Sequence, residues 1–165
     1  MTVPGSPRSS VRSATLPSVV AQLHGCRGPT FYRSCACQTG LVAVGTAHAM
    51  IQAGLAERFV AGAAEAPLTP FTLSSLDRLG LLSHSRSAYP LRPGALDREG
   101  TVVSEGAGLF LIESDSALSR PPLAEMISFA QGGEPATLTG VHPDAMGLQN
   151  CLRRLLRDGP APDLV

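Results

Sequence analysis

Two thiols stand two residues apart in the segment SCACQTG, residues 34–40. This segment follows a run, PTFYR, that is typical of a β-strand, and it precedes an Ala-rich pattern that predicts a helix over residues 38–55. A cysteine at such a turn lies near the helix N-terminus, where the dipole and unpaired N–H groups favour a nucleophilic thiolate. Cys37 fits this position, and Cys35, two residues back, is the weaker candidate. The spacing alone leaves open that either thiol is a small buried apolar side chain.

The composition argues against several classes of function. The 165 residues carry thirteen arginines, no lysine and thirteen acidic residues, so the formal net charge is zero and no nucleic-acid partner is expected. No window approaches eighteen apolar residues, and the N-terminus leads into no signal-peptide core, so we expect no membrane span and a cytoplasmic protein. The cysteines and histidines lack metal-ligand spacing, and we therefore expect no structural metal.

The length and the patterns predict one domain in which strands and helices alternate. Residues 1–15, rich in Ser, Pro and Arg, are expected to form a disordered tail, and residues 16–165 to form the domain. The predicted helices are LPSVVAQLHG, residues 38–55 and a last helix beginning at Pro143, with a short helix or ordered loop at TPFTLSSLDRLGLLS. The predicted strands are PTFYRSCA, RFVAGAAE, AGLFLIE and AEMISFAQ. This order indicates an α/β fold whose mainly parallel, mixed sheet is covered by helices.

Four segments resemble, in the same order, motifs of the β-ketoacyl-[acyl carrier protein] synthases, the condensing enzymes of fatty-acid and polyketide assembly with the thiolase fold. They are GCRGPTF, ACQTGLVAVG, IQAGLAERFVAGAAEAPLTPF and LRPGALDREGTVVSEGAGLFLIE, all within residues 16–118. The second is similar to the family's nucleophile elbow, A-C-[ST]-[ST]-G-x-x-A-[IV]-G, and the match selects Cys37. The resemblance implies a partial thiolase-like fold, because it covers less than half of a complete synthase.

The resemblance also implies a reaction in two halves. An acyl chain moves from the phosphopantetheine of an acyl carrier protein onto the cysteine, and the carbanion of a decarboxylated malonyl carrier then attacks that thioester. On this chain Cys37 is expected to hold the acyl group, with its backbone N–H as one oxyanion-hole donor, and Phe71 to line the acyl pocket. No cofactor is expected beyond the carrier's phosphopantetheine thioester, which is the substrate. Glu65 and Glu105 are interpreted as carboxylates that accept backbone N–H bonds.

The histidines that the family uses for condensation have no counterpart among these residues. In the family they lie in an H-G-T-G-T motif and a later G-H motif, and neither occurs here. We assign no catalytic role to His24, His48, His84 or His142, which are expected in turns, loops or packed positions. Condensation is therefore expected to depend on histidines from another chain. A partial thiolase-like half should also expose apolar surface, which predicts a homo- or hetero-oligomer with a ketosynthase-like subunit.

Two departures from the family pattern leave alternatives open. Gln38 stands where the family has a small residue, and Gly94 and Ala95 replace the Phe and Asp of R-P-F-D, which leaves the shape of that loop open. In the non-condensing partner subunits of aromatic polyketide synthases a Gln stands at the nucleophile position. The alternative function is thus a non-catalytic, chain-length-factor-like or scaffolding partner of a complete ketosynthase. A third alternative is a fragment that does not fold stably by itself.

Overall fold

The computed structural model describes residues 15–134 and 142–158. The helices of these residues are α1 (Leu16–His24), α2 (Thr39–Gln52), α3 (Pro70–Arg78) and α4 (Met146–Asp158). Their strands are β1 (Arg58–Glu65) and β2 (Gly106–Glu113), and a short 3₁₀ turn follows at Asp115–Ala117. None of these helices is long and apolar enough to cross a membrane. The tail predicted over residues 1–15 lies, apart from Thr15, outside the described residues.

The chain divides into two compact units, Met1–Thr39 and Gly40–Val165. In the first unit, α1 carries Pro17 in its first turn, where the missing N–H of proline costs no intrahelical bond. The helix ends at Gly25, whose φ of 65° is the left-handed conformation that closes many helices. The N–H groups of Gly25 and of the next residue donate to carbonyls of the last helical turn and complete this end.

The strand pair β1–β2 belongs to the second unit and is antiparallel over all eight residues of each strand. At one end of the pair, Arg58 lies opposite Glu113, and its Nε donates to the Glu113 Oε1 at 2.8 Å. The Arg58 Nη2 also donates to the carbonyl oxygen of Ala117 in the 3₁₀ turn. One guanidinium thus ties both strands to the segment that follows them.

Helix α2 has three buried residues, Val42, Gly45 and Ala47. Gly45 lies so close to the Phe129 ring that an added β-carbon would be 2.4 Å from it. Because folded interiors are close-packed, this contact between helix and ring requires glycine at position 45.

Few apolar side chains are fully buried in the part of the chain that the structure describes. Its buried apolar side chains are Val42, Ala47, Ala61 and Ala117. By contrast, Leu109, Phe110 and Leu111 in the middle of β2 are 52%, 63% and 52% exposed. Since successive strand residues point to opposite faces, the described residues leave both faces of β2 partly uncovered at this point. The expectation of exposed apolar sheet surface is confirmed.

The sequence patterns predicted most of the regular elements. The predictions for α1, α2, β1, β2 and α4 are confirmed to within a few residues, and the short helix or ordered loop is the helix α3. The strands predicted for PTFYRSCA and AEMISFAQ are wrong, because residues 29–36 and 124–131 form no strand. A β-strand is defined by backbone hydrogen bonds to a neighbouring strand. In the described residues these bonds join β1 and β2 to each other.

The pairing of β1 with β2 differs from the mainly parallel order expected for the sheet. A parallel pair needs a connection that crosses to the opposite end of the sheet. Here α3 and the long loop after it bring the chain back to the end of β1, where β2 begins opposite Glu65. The described pair is therefore antiparallel.

We predict that Gly45→Ala destabilises the protein by about 1 to 3 kcal/mol, because the new methyl group would displace the Phe129 ring. The gain in helix propensity from Gly to Ala, about 1 kcal/mol, opposes this packing cost but does not exceed it. Urea unfolding followed by circular dichroism measures the change in the free energy of unfolding. Gly106→Ala is the control, since a β-carbon there meets open space. The prediction fails if Gly45→Ala costs the same in a Phe129→Ala background.

Arg58→Ala is expected to lower the free energy of unfolding by about 1 to 2 kcal/mol. The substitution removes two hydrogen bonds and leaves the Glu113 side chain, which is 8% exposed, without its charged donor. Arg92→Ala is the matched control, because Arg92 pairs with Asp97 at an exposed site and such pairs contribute at most about 1 kcal/mol. Equal losses of stability in the two variants would contradict the prediction.

Candidate active site

The turn before α2, residues 35–39, is closed by the side chain of Thr39, and we call it the cysteine turn. The Thr39 hydroxyl accepts a hydrogen bond from the Cys35 N–H at 2.8 Å and donates one to the Ala36 carbonyl at 2.7 Å. The Thr39 N–H also donates to that carbonyl, at 3.1 Å. Ala36 has a φ of 51°, a left-handed conformation that residues other than glycine rarely adopt. The segment Cys-Ala-Cys-Gln-Thr therefore folds on itself through bonds within five residues.

Cys37 is the exposed thiol of the cysteine turn. It follows the left-handed residue Ala36 and lies two residues before the start of α2. Cys35 is less exposed, and its backbone N–H belongs to the bonds that close the turn. The two cysteines thus differ in their environment. The Cys37 thiol is accessible to a reactant, whereas Cys35 contributes its backbone N–H to the bonds that close the turn. An accessible thiol in such a turn has the chemistry to attack a carbonyl carbon.

Phe71, the predicted pocket residue, lies in the second unit on the first turn of α3. Thr69 caps this helix by accepting the N–H of Thr72 at 3.2 Å, and Pro70 occupies the first helical position. Phe71 is 82% exposed, so the described residues bury little of its ring. Cys37 belongs to the first unit, and each of the two predicted site residues is placed within its own unit.

Glu105 has a contact that agrees with its interpretation as a structural carboxylate. Its Oε1 accepts the N–H of Leu68 at 3.2 Å, which joins the residue before β2 to the segment before α3. Glu65 is exposed at the end of β1, opposite Gly106. Glu105 therefore helps to position the loop that leads into α3.

The four histidines lie in local contacts or within helices. The His84 Nε2 lies 3.0 Å from the Asp77 Oδ1 of α3, and the His142 Nδ1 accepts the N–H of the residue two positions later at 3.1 Å. His48 is half-buried in α2, and His24 is exposed at the end of α1. Within residues 15–134 and 142–158, no three His, Cys, Asp or Glu side chains form a group that could hold a metal ion.

Arg92 and Asp97 close the loop whose shape the sequence left open. The Arg92 Nη1 donates to the Asp97 Oδ2 at 2.7 Å, and Nη2 donates to the Asp97 carbonyl oxygen at 3.2 Å. Between them, Gly94 has a φ of 78°, and the Ala95 carbonyl accepts a bond from Arg98 at 3.0 Å. The loop thus obtains its carboxylate from Asp97, two residues beyond the position of the R-P-F-D aspartate.

Sequence reasoning missed the parts played by Thr39 and Asp97. The signal for Thr39 was a hydroxyl residue at the second [ST] position of the elbow pattern, and for Asp97 an acidic residue five positions after Arg92 in a loop rich in Pro and Gly. Both side chains act through hydrogen bonds that depend on the backbone conformation between the partners. Spacing along the sequence does not specify that conformation.

A known protein family and several curated proteins are similar to this chain. The family model for the β-ketoacyl synthase N-terminal domain matches residues 2–117. The chain is 32% identical over 142 residues to the tetracenomycin polyketide synthase ketoacyl synthase alpha subunit of Streptomyces glaucescens, a match that covers 83% of this chain and 33% of the relative. It is 34% identical over 142 residues to 3-oxoacyl-[acyl-carrier-protein] synthase 2 of Vibrio cholerae, with 82% and 34% covered. The chain therefore spans about a third of the length of these curated relatives.

A solved structure also matches, with a TM-score of 0.81 and 30% sequence identity. In it, the acyl carrier protein of a type II polyketide synthase is in complex with its ketosynthase bound to the hexaketide, and the match covers 88% of this chain and 37% of that chain. This likeness confirms the predicted α/β, thiolase-like fold class, and the family match confirms the resemblance drawn from the four segments. These 165 residues therefore belong to the β-ketoacyl synthase family, whose members act in fatty-acid and polyketide synthesis.

Proposed function

We propose that this chain is a β-ketoacyl synthase-like subunit of fatty-acid or polyketide biosynthesis that holds an acyl group as a thioester on Cys37. The observation that carries the proposal is the exposed Cys37 thiol in the cysteine turn, directly before α2. The turn coincides with the segment that resembles the nucleophile elbow of the family. Membership of the family indicates the class of reaction, which is acyl transfer.

The proposed acyl transfer exchanges one thioester for another. The Cys37 sulfur, as the thiolate, attacks the carbonyl carbon of an acyl thioester on the phosphopantetheine of an acyl carrier protein. A new carbon–sulfur bond forms, the bond from that carbon to the phosphopantetheine sulfur breaks, and the departing sulfur takes up a proton. The Cys37 backbone N–H is proposed as one donor to the oxyanion of the tetrahedral intermediate. The carrier's thioester is the substrate, and no further cofactor is part of the proposal.

Condensation is proposed to depend on histidines from outside these residues, supplied by another chain. His84 and His142 each have a ring nitrogen engaged in a local contact, the first with Asp77 and the second with a backbone N–H. His48 is half-buried within α2. These placements support the assignment of the condensing histidines to a partner.

The proposed partners are an acyl carrier protein and a ketosynthase-like subunit in a homo- or hetero-oligomer, in the cytoplasm. Leu109, Phe110 and Leu111 of β2 present apolar surface of the kind that marks protein contacts. The similar solved structure is itself a complex of an acyl carrier protein with its ketosynthase. Phe71, exposed on α3, is proposed to line the acyl pocket of the assembled protein.

The alternative function is a non-catalytic, chain-length-factor-like or scaffolding partner of a complete ketosynthase. Gln38 favours it, because this bulky polar side chain is exposed directly after Cys37, where the family has a small residue. In this alternative the cysteine turn shapes a surface for the partner, and Cys37 carries no acyl group.

The enzyme hypothesis predicts an acyl adduct that depends on one sulfur. We expect intact-protein mass spectrometry to detect the mass of the acyl group after incubation with an acyl carrier thioester, with and without candidate partner subunits. Cys37→Ala should abolish the adduct, because it removes the nucleophile. Cys35→Ala is the matched control and should retain it, since the Cys35 contribution to the turn is its backbone N–H. An adduct that persists in Cys37→Ala would exclude the proposed role of this thiol.

The rate of product formation distinguishes the enzyme hypothesis from the non-catalytic alternative. The chain is combined with a complete ketosynthase that co-purifies with it and with the acyl carrier protein. If the Cys37 thioester is an intermediate, Cys37→Ala lowers the rate of product formation by about tenfold or more. Unchanged output from Cys37→Ala, with undiminished co-purification, would select the non-catalytic partner.

A further inference from the structure

We propose that Thr39 is a positioning residue for Cys37, an inference that rests on the proposed acyl-transfer function. The Thr39 hydroxyl joins two groups on the N-terminal side of the nucleophile, the Cys35 N–H at 2.8 Å and the Ala36 carbonyl at 2.7 Å. Cys37 lies between these anchors and the helix that begins at Thr39. The hydroxyl therefore fixes the backbone from which the thiol projects.

The direction of the Thr39 side chain distinguishes this role from ordinary helix capping. A capping hydroxyl precedes its helix and accepts an N–H of the first turn, as Thr69 does for Thr72 in α3. Thr39 is itself the first residue of α2, and its hydroxyl bonds to residues three and four positions before it. Its side chain thus stabilises the cysteine turn and does not cap the first turn of α2.

The conformation of Ala36 explains why the turn needs this support. Its φ of 51° places a residue with a β-carbon in the left-handed region, which is unfavourable for L-residues. Two donors, the N–H and the hydroxyl of Thr39, converge on the Ala36 carbonyl and hold the peptide that leads into Cys37. Without the hydroxyl, one main-chain bond remains and the partly buried Cys35 N–H loses its acceptor. The turn would then relax and change the position of the thiol.

The test compares Thr39→Val, which replaces the hydroxyl with a methyl group of similar size, with Thr39→Ser, which keeps it. The full chain reacts with iodoacetamide, and peptide mass spectrometry gives the alkylation rate of Cys37 relative to Cys26, an exposed thiol away from the turn. We expect this ratio to fall about tenfold in Thr39→Val, because the thiol is then no longer held in the exposed position that the cysteine turn gives it. We expect Thr39→Ser to stay within about twofold of the unsubstituted chain.

The rate of Cys37 acylation by an acyl carrier thioester in a single turnover is the second measurement. Thr39→Val should slow it with little change in the half-saturating concentration of the carrier, because both hydrogen bonds of the hydroxyl lie within the cysteine turn. Equal alkylation ratios in Thr39→Val and the unsubstituted chain, or equal impairment of Thr39→Ser and Thr39→Val, would overturn the proposal. If Thr39→Val does not fold by circular dichroism, impairment of Thr39→Ser alone would still contradict it, since serine keeps both bonds.

Failure of this inference and failure of the proposed function give different results. If the unsubstituted chain is never acylated on Cys37, the acyl-transfer function is wrong, and the alkylation ratio still decides whether Thr39 positions the thiol. If acylation occurs and Thr39→Val is acylated at an undiminished rate, the function stands and the positioning role is wrong.

Discussion

The uncovered apolar surface of β2 is the constraint on which the rest of the second unit depends. An isolated strand pair is marginal in water and becomes stable when another surface covers its apolar side chains. Leu109, Phe110 and Leu111 are more than half exposed, whereas the buried apolar side chains of the described residues are one valine and three alanines. Because hydrophobic stabilisation scales with the apolar area removed from water, these small side chains contribute little of it. The second unit is therefore expected to gain most of its stability from a surface that packs on β2.

The cysteine turn does not depend on such a covering surface, because every hydrogen bond that closes it lies within five residues. A left-handed alanine costs roughly 1 to 2 kcal/mol relative to the right-handed conformation. The two hydrogen bonds of the Thr39 hydroxyl contribute about 1 kcal/mol each, which is enough to offset that cost. The geometry at Cys37 is thus specified locally, while the sheet depends on its surroundings. The conformation around Cys37 therefore does not need a surface that covers β2.

The same difference explains how far the sequence predicts the structure. Helices α1 and α2 and strands β1 and β2 follow from hydrophobic periodicity and from end signals such as Gly25, which are local properties. Residues 29–36 and 124–131 have the composition of strands, but composition does not supply the neighbouring strand that each would need. At the candidate site, Cys37 could be selected from its place before a helix, and its exposure agrees with that choice. The backward direction of the Thr39 side chain follows from the backbone at Ala36, which no pattern specifies.

Gln38 bears on the choice between an enzyme and a non-catalytic partner, and its place in the turn limits what it implies. The bonds that close the cysteine turn use Cys35, Ala36 and Thr39, and none of them involves the Gln38 side chain. That side chain is exposed, so its bulk does not displace the backbone around Cys37. A larger residue at this position is therefore compatible with an intact cysteine turn. Gln38 is exposed and is the next residue after Cys37, so its effect would fall on molecules that approach the thiol. Gln38 is therefore not by itself a reason to reject the proposed acyl transfer.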